Sequence, residues 1–513
     1  MFIGISVFAC SWLSLQEFQK KTMGDIRKLA SQTVLYGGST VLARLVNYLL
    51  VPIQTTIFAP KEYGVVGEMY AYVAFLIVVL TVGMETAFFR FYDKKDEQKS
   101  AVIYGNAMKS LIVIGVLFVV AMNYFAQPIA THIRYADHPE YIVWFSFLIA
   151  IDAITTIPFA RLRALNRPKL FSMLKIGNVF VCFVLNIMFL YLLPYMHDHQ
   201  VMVSVLSVIY NPAIGVGYIF IANLIASALT LLALFIVLPY KRTPFDVTVW
   251  KKMMAYALPL LIFGLAGNIN ETFDRILLKW LSPVGIASTQ VGIYSACYKI
   301  SIFMTIVIQG FKYAAEPFFF AHAKESDSRD IYADVMKYFV IICSLIFLAV
   351  MVNIDVVKYM VGYRYWEGLK VVPVLLLANM SLGIFYNLSI WYKLTDKTRF
   401  GAYLSIFGAI VTLALNFTLI PVMGYMGSAW ATFACYSSMM VISYFVGQKH
   451  YHVPYQLSRI LMYIGLSIGL WAISTLIPIQ NHWLRLLPAT ALVAVYVAVV
   501  LKKEPVFARL IRR

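Results

Sequence analysis

Long apolar stretches separated by short polar turns run through almost the whole chain, and they constrain its fold more than any other feature. A membrane-spanning helix needs about 20 consecutive apolar residues, and the sequence supplies fourteen stretches of that kind. The predicted spans are 31–58, 64–89, 101–125, 141–160, 170–193, 214–238, 254–281, 291–319, 332–354, 369–391, 400–420, 426–446, 460–477 and 484–501. We therefore predict an all-α, polytopic membrane protein with about 14 transmembrane helices.

The composition supports this class, because 61% of the 513 residues are hydrophobic and only 13% are charged. Soluble domains are about a quarter charged. The composition therefore excludes a soluble enzyme, a disordered chain and a disulfide scaffold. A membrane β-barrel is also excluded, because its strands would show ten-residue alternating patterns that this sequence lacks.

The net charge of +18 follows from basic residues that concentrate in every second loop. Such asymmetry is typical of cytoplasmic loops in membrane proteins, so it indicates orientation and not nucleic-acid binding. The basic loops contain Arg27, Lys28, Arg90, Lys94, Lys95, Lys99, Arg161, Arg163, Arg167, Lys169, Lys241, Arg242, Lys251, Lys252, Lys393, Lys397, Arg399, Lys502, Lys503, Arg509, Arg512 and Arg513. The alternate loops contain chiefly Lys61, Arg134, Lys358 and Arg364. Both termini are predicted to be cytoplasmic.

Motifs of soluble enzymes are absent from the sequence. It has no GxxxxGK[ST], HExxH, GxSxG or complete GxGxxG pattern. The five cysteines lie in apolar runs without a CxxC pair, so neither a disulfide framework nor a zinc site is indicated. We predict that the chain is not an enzyme and that it holds no metal or organic cofactor.

A weak internal repeat suggests two lobes. Pro60, the pair Tyr63-Gly64 and Gly83 in the first half are matched by Pro283, Gly292 and Gly310 in the second. A repeat unit of six helices preserves orientation, so the lobes should be related by an axis along the membrane normal with a cleft between them. The predicted units are an N-terminal extension at 1–23, which includes an alternative start at Met23, an N-lobe at 24–242, a C-lobe at 243–450, and two trailing helices with a basic tail at 451–513.

Charged residues within the spans are the best candidates for function, since each is costly unless it is paired or hydrated. At 1.5 Å per residue, Arg44 lies about 20 Å along the first helix, Asp152 about 17 Å along the fourth and Lys299 about 12–20 Å along the eighth. None of the three has a partner nearby in sequence. We therefore expect each of them to face a hydrated cavity or a partner on another helix.

A second group of charges lies on the seventh helix. Glu271, Asp274 and Arg275 are spaced to share one helix face. The secondary candidates are Glu68, Glu85, Lys312 and Glu316. A purely structural interpretation stays open for several of these residues, because Glu271 with Arg275 and Lys312 with Glu316 are i,i+4 pairs that would neutralise one another. Gly465 and Gly469 form a GxxxG motif that predicts close helix packing.

The beginning of the chain resembles the Wzx-type flippases of lipid-linked oligosaccharides. The resemblance rests on residues 29–94, where a glycine-rich first helix leads to Pro52, a Pro60-x-x-Tyr63-Gly64 turn and Gly83. The segment YALPLLIFGLAGNINETFDRILL is similar to the seventh helix of the same family. The likeness extends over most of residues 24–505, and its loose apolar motifs specify the superfamily better than the substrate.

This resemblance implies a two-lobed fold of the superfamily that contains multidrug exporters (MATE) and peptidoglycan-precursor flippases. It also implies a function: translocation of an undecaprenyl-pyrophosphate-linked oligosaccharide across the bacterial inner membrane, by alternating access through a cationic cleft. Arg44, Lys299 and Arg275 would bind the pyrophosphate, while Asp152, Glu271 and Asp274 would hold those cations or bind a coupling proton or Na⁺. The implied partners are the lipid-linked substrate, the bilayer, a polysaccharide polymerase and glycosyltransferases, without nucleic acid.

Two other functions remain open from the sequence. An ion-coupled multidrug exporter would have the same fold, although unpaired Arg44 and Lys299 do not suit a cavity for cationic drugs. A membrane enzyme of polysaccharide polymerisation or ligation would need a sizeable external loop, and the longest loops here have only about twenty residues.

Overall fold

The computed structural model describes residues 45–93, 95–200, 209–238, 243–322, 328–476 and 482–505, together with residues 38 and 42. The described residues form helices and contain no β-strand. Thirteen of the helices are long and apolar enough to cross a membrane. They correspond one by one to the predicted spans from the second to the fourteenth. The first predicted span is described over Leu45–Ile57, which is a shorter apolar helix. The predicted all-α, polytopic fold is confirmed.

We number these helices in chain order. They are α1 Leu45–Ile57, α2 Pro60–Phe91, α3 Glu97–Tyr124, α4 Glu140–Ala164, α5 Pro168–Asp198, α6 Gly217–Val237, α7 Val247–Leu281, α8 Ala287–Lys312, α9 Ser328–Val352, α10 Tyr363–Leu394, α11 Arg399–Met423, α12 Tyr425–His450, α13 Leu457–Thr475 and α14 Leu486–Lys503. Helical turns of α8 continue to His322.

Four of these helices are irregular, and one of them, α10, begins with a 3₁₀ segment over Tyr363–Val371 and has a turn at Ser389. The helix α2 is interrupted at Val82 and Gly83, which both have positive φ angles. The helix α5 contains a π-helical turn over Met188–Leu192, and α8 contains a 3₁₀ turn over Lys299–Ser301. Such departures from regular α-helix are frequent at functional sites.

The sequence repeat is imperfect in the structure, because Gly310 lies within a continuous helix whereas Gly83 interrupts α2.

The helices pack in two lobes. In the first, α4 lies against α3 and α6, and α5 lies against α6. In the second, α11 and α12 pack on each other, α10 packs on α12, and α7 packs on α11. The trailing helices α13 and α14 both lie against α9 of the second lobe. We call the end of the bundle with the lysine- and arginine-rich loops the basic end, and the other the opposite end.

The apolar core joins the two lobes at the opposite end. One continuous cluster contains Tyr63 and Val66 of α2 together with Val291 and Tyr294 of α8. The lobes are therefore closed on each other at the opposite end. Near the basic end they also touch through α7, whose Met253 and Ala257 share a buried cluster with Phe88 of α2.

The closest helix contact between the lobes is the crossing of α2 and α8. A methyl group added to Gly64 would overlap the backbone carbonyl of Ser288, and one added to Gly292 would overlap the carbonyl of Pro60. Only glycine allows the two backbones to approach this closely. The two glycines occupy matching positions in the sequence repeat, so equivalent helices of the two halves contact each other at this crossing.

The GxxxG motif of α13 does not make the close contact that its sequence predicts. No described atom lies within 4 Å of a methyl group built on Gly465 or on Gly469. The motif faces away from the helices that the structure describes because α13 packs on α9 through other residues, among them Tyr463 and Leu470. The sequence prediction of tight packing at this motif is wrong.

We predict that Gly64→Val lowers the free energy of unfolding by more than about 2 kcal/mol, because the added side chain must push α2 away from α8. The matched control is Gly465→Ala, which should leave stability unchanged or raise it by up to about 1 kcal/mol, since alanine favours helix and has free space there. Thermal unfolding of the purified variants in detergent measures both. Equal stability of Gly64→Val and the unaltered protein would contradict the close crossing.

Candidate functional site

The predicted charged residues gather mainly on the face of the second lobe that borders the first. Lys299, at the 3₁₀ turn of α8, is half-buried, and its Nζ donates a hydrogen bond to the Tyr63 hydroxyl on α2 at 2.7 Å. Its ammonium also lies 5.2 Å from the centroid of the Tyr63 ring. Among the described residues no carboxylate lies within 4.0 Å of Lys299. The sequence predicts that this lysine contacts either water or a partner on another helix. In the structure its partner on another helix is the neutral phenol of Tyr63.

Tyr63 is itself part of the layer of contacts that closes the lobes on each other at the opposite end, which we call the seal. Its ring stands edge-on to that of Tyr365, with centroids 5.8 Å apart. The Tyr365 hydroxyl donates to the backbone carbonyl of Phe58 at 2.8 Å, and the Gly362 amide donates to the Thr55 hydroxyl at 2.8 Å. The first turn of α10 and the residue before it therefore cover the end of α1. Lys299 contacts the seal from the side that faces the basic end.

Arg275 and Asp274 form a second group on α7. The Nη1 of Arg275 lies 3.1 Å from Oδ1 of Asp274, and the two side chains are only 13% and 3% exposed. The other carboxylate oxygen of Asp274 accepts a hydrogen bond from the Tyr294 hydroxyl at 2.6 Å. The guanidinium also lies 4.5 Å from the ring centroid of Tyr298. This ion pair is buried and compensated, which distinguishes it from Lys299.

Glu271 lies one helical turn before Arg275. The residue is exposed, and Arg275 donates a hydrogen bond to its backbone carbonyl at 3.1 Å. Its carboxylate lies near the hydroxyl of Tyr386 on α10. The ring of Tyr386 in turn lies 4.7 Å from Nζ of Lys312, which is also exposed. Lys312, Tyr386, Glu271, Arg275 and Lys299 therefore follow one another along the second lobe toward the seal.

A small cavity opens at the Lys312 end of this row. It measures about 300 Å³ including its opening. Its lining is mixed, with two lysines among aromatic and aliphatic side chains, and comprises Phe311, Lys312, Ala315, Phe319, Tyr386, Ser389, Ile390 and Lys393. The cavity gives the row an entrance with cationic side chains near the basic end.

Other predicted residues lie elsewhere. Asp152 is half-buried inside the first lobe, near Ser227 on α6 and Lys175 on α5. It therefore does not join the row on the second lobe. Glu85 pairs with Arg163 and ties α2 to α4 at the basic end. Arg44 and the side chain of Glu316 lie outside the described residues, so their predicted roles stay predictions.

Glu68 belongs to a buried cluster at the opposite end. Its carboxylate lies 3.4 Å from Nζ of Lys279, and the two side chains are 0% and 5% exposed. Sequence reasoning missed Lys279, because a lysine two residues before a helix end is expected to reach the membrane surface. It also missed the tyrosines Tyr63, Tyr298 and Tyr386, since no local pattern marks an aromatic residue that contacts a charge from another helix.

Known proteins share this fold. A sequence model of the family described as polysaccharide biosynthesis protein matches residues 29–322, which is more than half of the chain. No curated protein sequence matches the chain.

Three solved structures resemble it closely enough to define the fold. A lipid II flippase MurJ in an inward closed conformation is similar with a TM-score of 0.68 at 12% identity, over 92% of this chain and 99% of that one. A multidrug resistance MATE family transporter of the MOP superfamily, in an inward-facing conformation, has a TM-score of 0.63 at 13% identity, over 82% of this chain and 95% of that one. An outward-facing structure of such a transporter has a TM-score of 0.56 at 14% identity, over 85% and 96% of the chains. These folds are those of flippases and transporters, in agreement with the expectation that the chain is not an enzyme.

The two kinds of cation should respond differently to substitution. We predict that Asp274→Asn lowers the unfolding free energy by about 3 kcal/mol or more, because it leaves the Arg275 guanidinium buried without its counter-charge. Lys299→Met should change it by less than about 1 kcal/mol, because the lost hydrogen bond is offset by removal of an unpaired ammonium. Thermal unfolding and abundance in the membrane measure both effects. If Lys299→Met were as destabilising as Asp274→Asn, Lys299 would be a structural residue.

Proposed function

Since this chain belongs to the polysaccharide biosynthesis protein family, we propose that it is a flippase for an oligosaccharide linked to undecaprenyl pyrophosphate. In this proposal the polar head of the lipid enters the space between the lobes from the basic end. It leaves at the opposite end after the lobes have rearranged. The proposed location is the bacterial inner membrane, with the basic end and both termini in the cytoplasm.

The observation that carries this proposal is the environment of Lys299. A half-buried ammonium within the membrane is costly unless water, a counter-ion or a ligand meets it, and its described hydrogen-bond partner is a neutral tyrosine. Such a side chain has a free positive charge to offer an anionic ligand. Pyrophosphate is the strongly anionic part of the proposed substrate. We therefore assign its binding to Lys299, together with Arg44, which precedes α1 in the sequence, as the predicted second cation.

Arg275 has a different role in this proposal. Its guanidinium is already paired with Asp274 and stacked near Tyr298, so it is less available to bind a phosphate directly. It would instead hold the Asp274 carboxylate in place, which in turn accepts a hydrogen bond from Tyr294 on α8. The exposed side chain of Lys312 would attract the anionic head near the entrance, where charge acts over longer distances.

A second candidate function rests on Glu271. An exposed carboxylate near Tyr386 suits an organic cation, because aromatic rings and a negative charge together attract positive groups. This arrangement favours an ion-coupled multidrug exporter. In the flippase proposal, the same carboxylate is the candidate that binds a coupling proton or Na⁺.

The orientation is tested by reporter fusions. We expect fusions after Lys95, Arg167 and Lys397 to report the cytoplasm, and fusions after Ala136 and His199 to report the outside, because lysine and arginine are retained on the cytoplasmic side. Two fusions on the wrong side would contradict the proposed topology of fourteen crossings.

The transport function is tested in cells that depend on this protein for surface polysaccharide. We expect Lys299→Ala to reduce export at least about tenfold at normal abundance, since the loss of an ionic hydrogen bond weakens binding by about 1.5–3 kcal/mol. Lipid-linked oligosaccharide should accumulate on the cytoplasmic face. Lys299→Arg retains the charge and should restore part of the export. Arg44→Ala should act in the same direction as Lys299→Ala.

Two outcomes would contradict parts of this proposal. Normal export by a well-expressed Arg44→Ala, Lys299→Ala double variant would exclude the cationic cleft, although not a flippase that works in another way. The multidrug exporter would instead be supported by two results together. Cells that lack the protein would export polysaccharide normally but be more sensitive to cationic drugs, and the Glu271→Gln variant would fail to restore their resistance.

A further inference from the structure

A buried ion pair connects the two lobes at the opposite end, in a place that the proposed substrate site does not use. Glu68 lies on α2 in the first lobe and Lys279 lies near the end of α7 in the second. Their side chains are 0% and 5% exposed, and Oε2 and Nζ are 3.4 Å apart. Three hydroxyl groups complete the cluster: Tyr135, between α3 and α4, Ser288, in the first turn of α8, and Tyr72, one turn after Glu68 on α2.

The contacts in this cluster divide by lobe. Within the first lobe, the Tyr135 hydroxyl donates a hydrogen bond to Oε2 of Glu68. Within the second, Nζ of Lys279 donates to the Ser288 hydroxyl at 2.7 Å. Between the lobes, Nζ contacts Glu68 and donates to the Tyr135 hydroxyl at 3.0 Å. Each charged side chain therefore has a neutral hydroxyl partner in its own lobe, which it keeps if the lobes separate.

The closed arrangement leaves part of the carboxylate unsatisfied. Oε1 of Glu68 is buried and has no hydrogen-bond partner among the described residues, although an ionised carboxylate accepts several hydrogen bonds. Water that entered between separated lobes would supply these bonds. The ion pair thus favours closure through its charges, while the orphan oxygen favours opening, so the balance between the two states is sensitive to this cluster.

We propose that Glu68 and Lys279 form a latch that holds the lobes together at the opposite end and sets the equilibrium between this closed state and one that is open there. Removing one charge leaves the other buried without a counter-charge in the closed state only, because water can hydrate it in the open state. A single substitution therefore opens this end. Removing both charges leaves a neutral interface, so the double substitution closes it again.

Ser295 provides a reporter of this equilibrium. It lies on α8 where a methyl group on Gly67 of α2 would overlap its hydroxyl, and it is 4% exposed. The full-length protein would carry Ser295→Cys, with its five native cysteines replaced by alanine, and would be purified in detergent. The measured quantity is the rate at which Cys at this position reacts with a charged, water-soluble maleimide. Reaction requires that α2 and α8 separate.

We expect Glu68→Gln to raise the labelling rate at least about tenfold, because the unpaired ammonium destabilises the closed state. Lys279→Met should act in the same direction. The double variant Glu68→Gln, Lys279→Met should label within about twofold of the parent protein, which is the sign of a coupled pair in a double-mutant cycle.

The matched control is Lys337→Met. Lys337 on α9 pairs with Glu504 after α14, with Nζ and Oε2 3.1 Å apart and exposures of 4% and 3%. This buried lysine–glutamate contact joins a trailing helix to the second lobe, and it belongs to a larger ionic cluster because Lys337 also pairs with Asp334 and Glu504 also pairs with Arg459. Its loss should lower thermal stability without raising the labelling rate, which separates opening of the lobes from general loosening.

Two results would overturn the latch. One is an unchanged labelling rate in both folded single variants, and the other is a double variant that labels as fast as the single variants. The labelling assay contains no lipid-linked substrate, so its outcome does not depend on the proposed flippase function. A failure of polysaccharide export with intact latch behaviour would count against that function alone.

Discussion

The contact between the backbones of α2 and α8 organises the region between the lobes. Gly64 and Gly292 allow these helices to cross without a side chain between them, and the distance between the lobes at the opposite end follows from that crossing. Tyr63 precedes Gly64 on α2, so the crossing places its hydroxyl within reach of Lys299. Glu68 follows one turn later and meets Lys279. The seal and the ion pair therefore depend on two small residues.

Charged side chains at membrane depth fall into two groups in this protein. Asp274 with Arg275, and Glu68 with Lys279, are buried pairs whose partners compensate each other. Lys299 is half-buried, and Glu271 and Lys312 are exposed. Because an uncompensated charge is costly in hydrocarbon, Lys299, whose described hydrogen-bond partner is a neutral tyrosine, indicates where the protein admits water or ligand.

Much of the fold could be predicted from the sequence because each membrane span is a local property. Length and hydropathy located all thirteen of the described long helices. The basic residues, which concentrate in every second loop, predicted the side of the membrane on which each loop lies. The repeat correctly paired Gly64 with Gly292, since both halves use the same residue at the same contact. The GxxxG motif at Gly465 misled because its spacing describes one helix face and not what lies against that face.

The site could be predicted only in part. The sequence by itself determined which charges lie within spans, because depth depends on distance along one helix, and it selected Lys299, Glu271 and Arg275 on that basis. Only the tertiary structure decided which of them are paired. Arg275 is compensated by its neighbour Asp274, whereas Lys299 meets Tyr63 from a helix that is 236 positions away in sequence. From its position near a helix end, Lys279 is predicted to be a surface residue, but in the fold it is buried beside Glu68. Depth is local along a helix, while compensation of charge is a contact between helices, and that contact exists only once the lobes have packed.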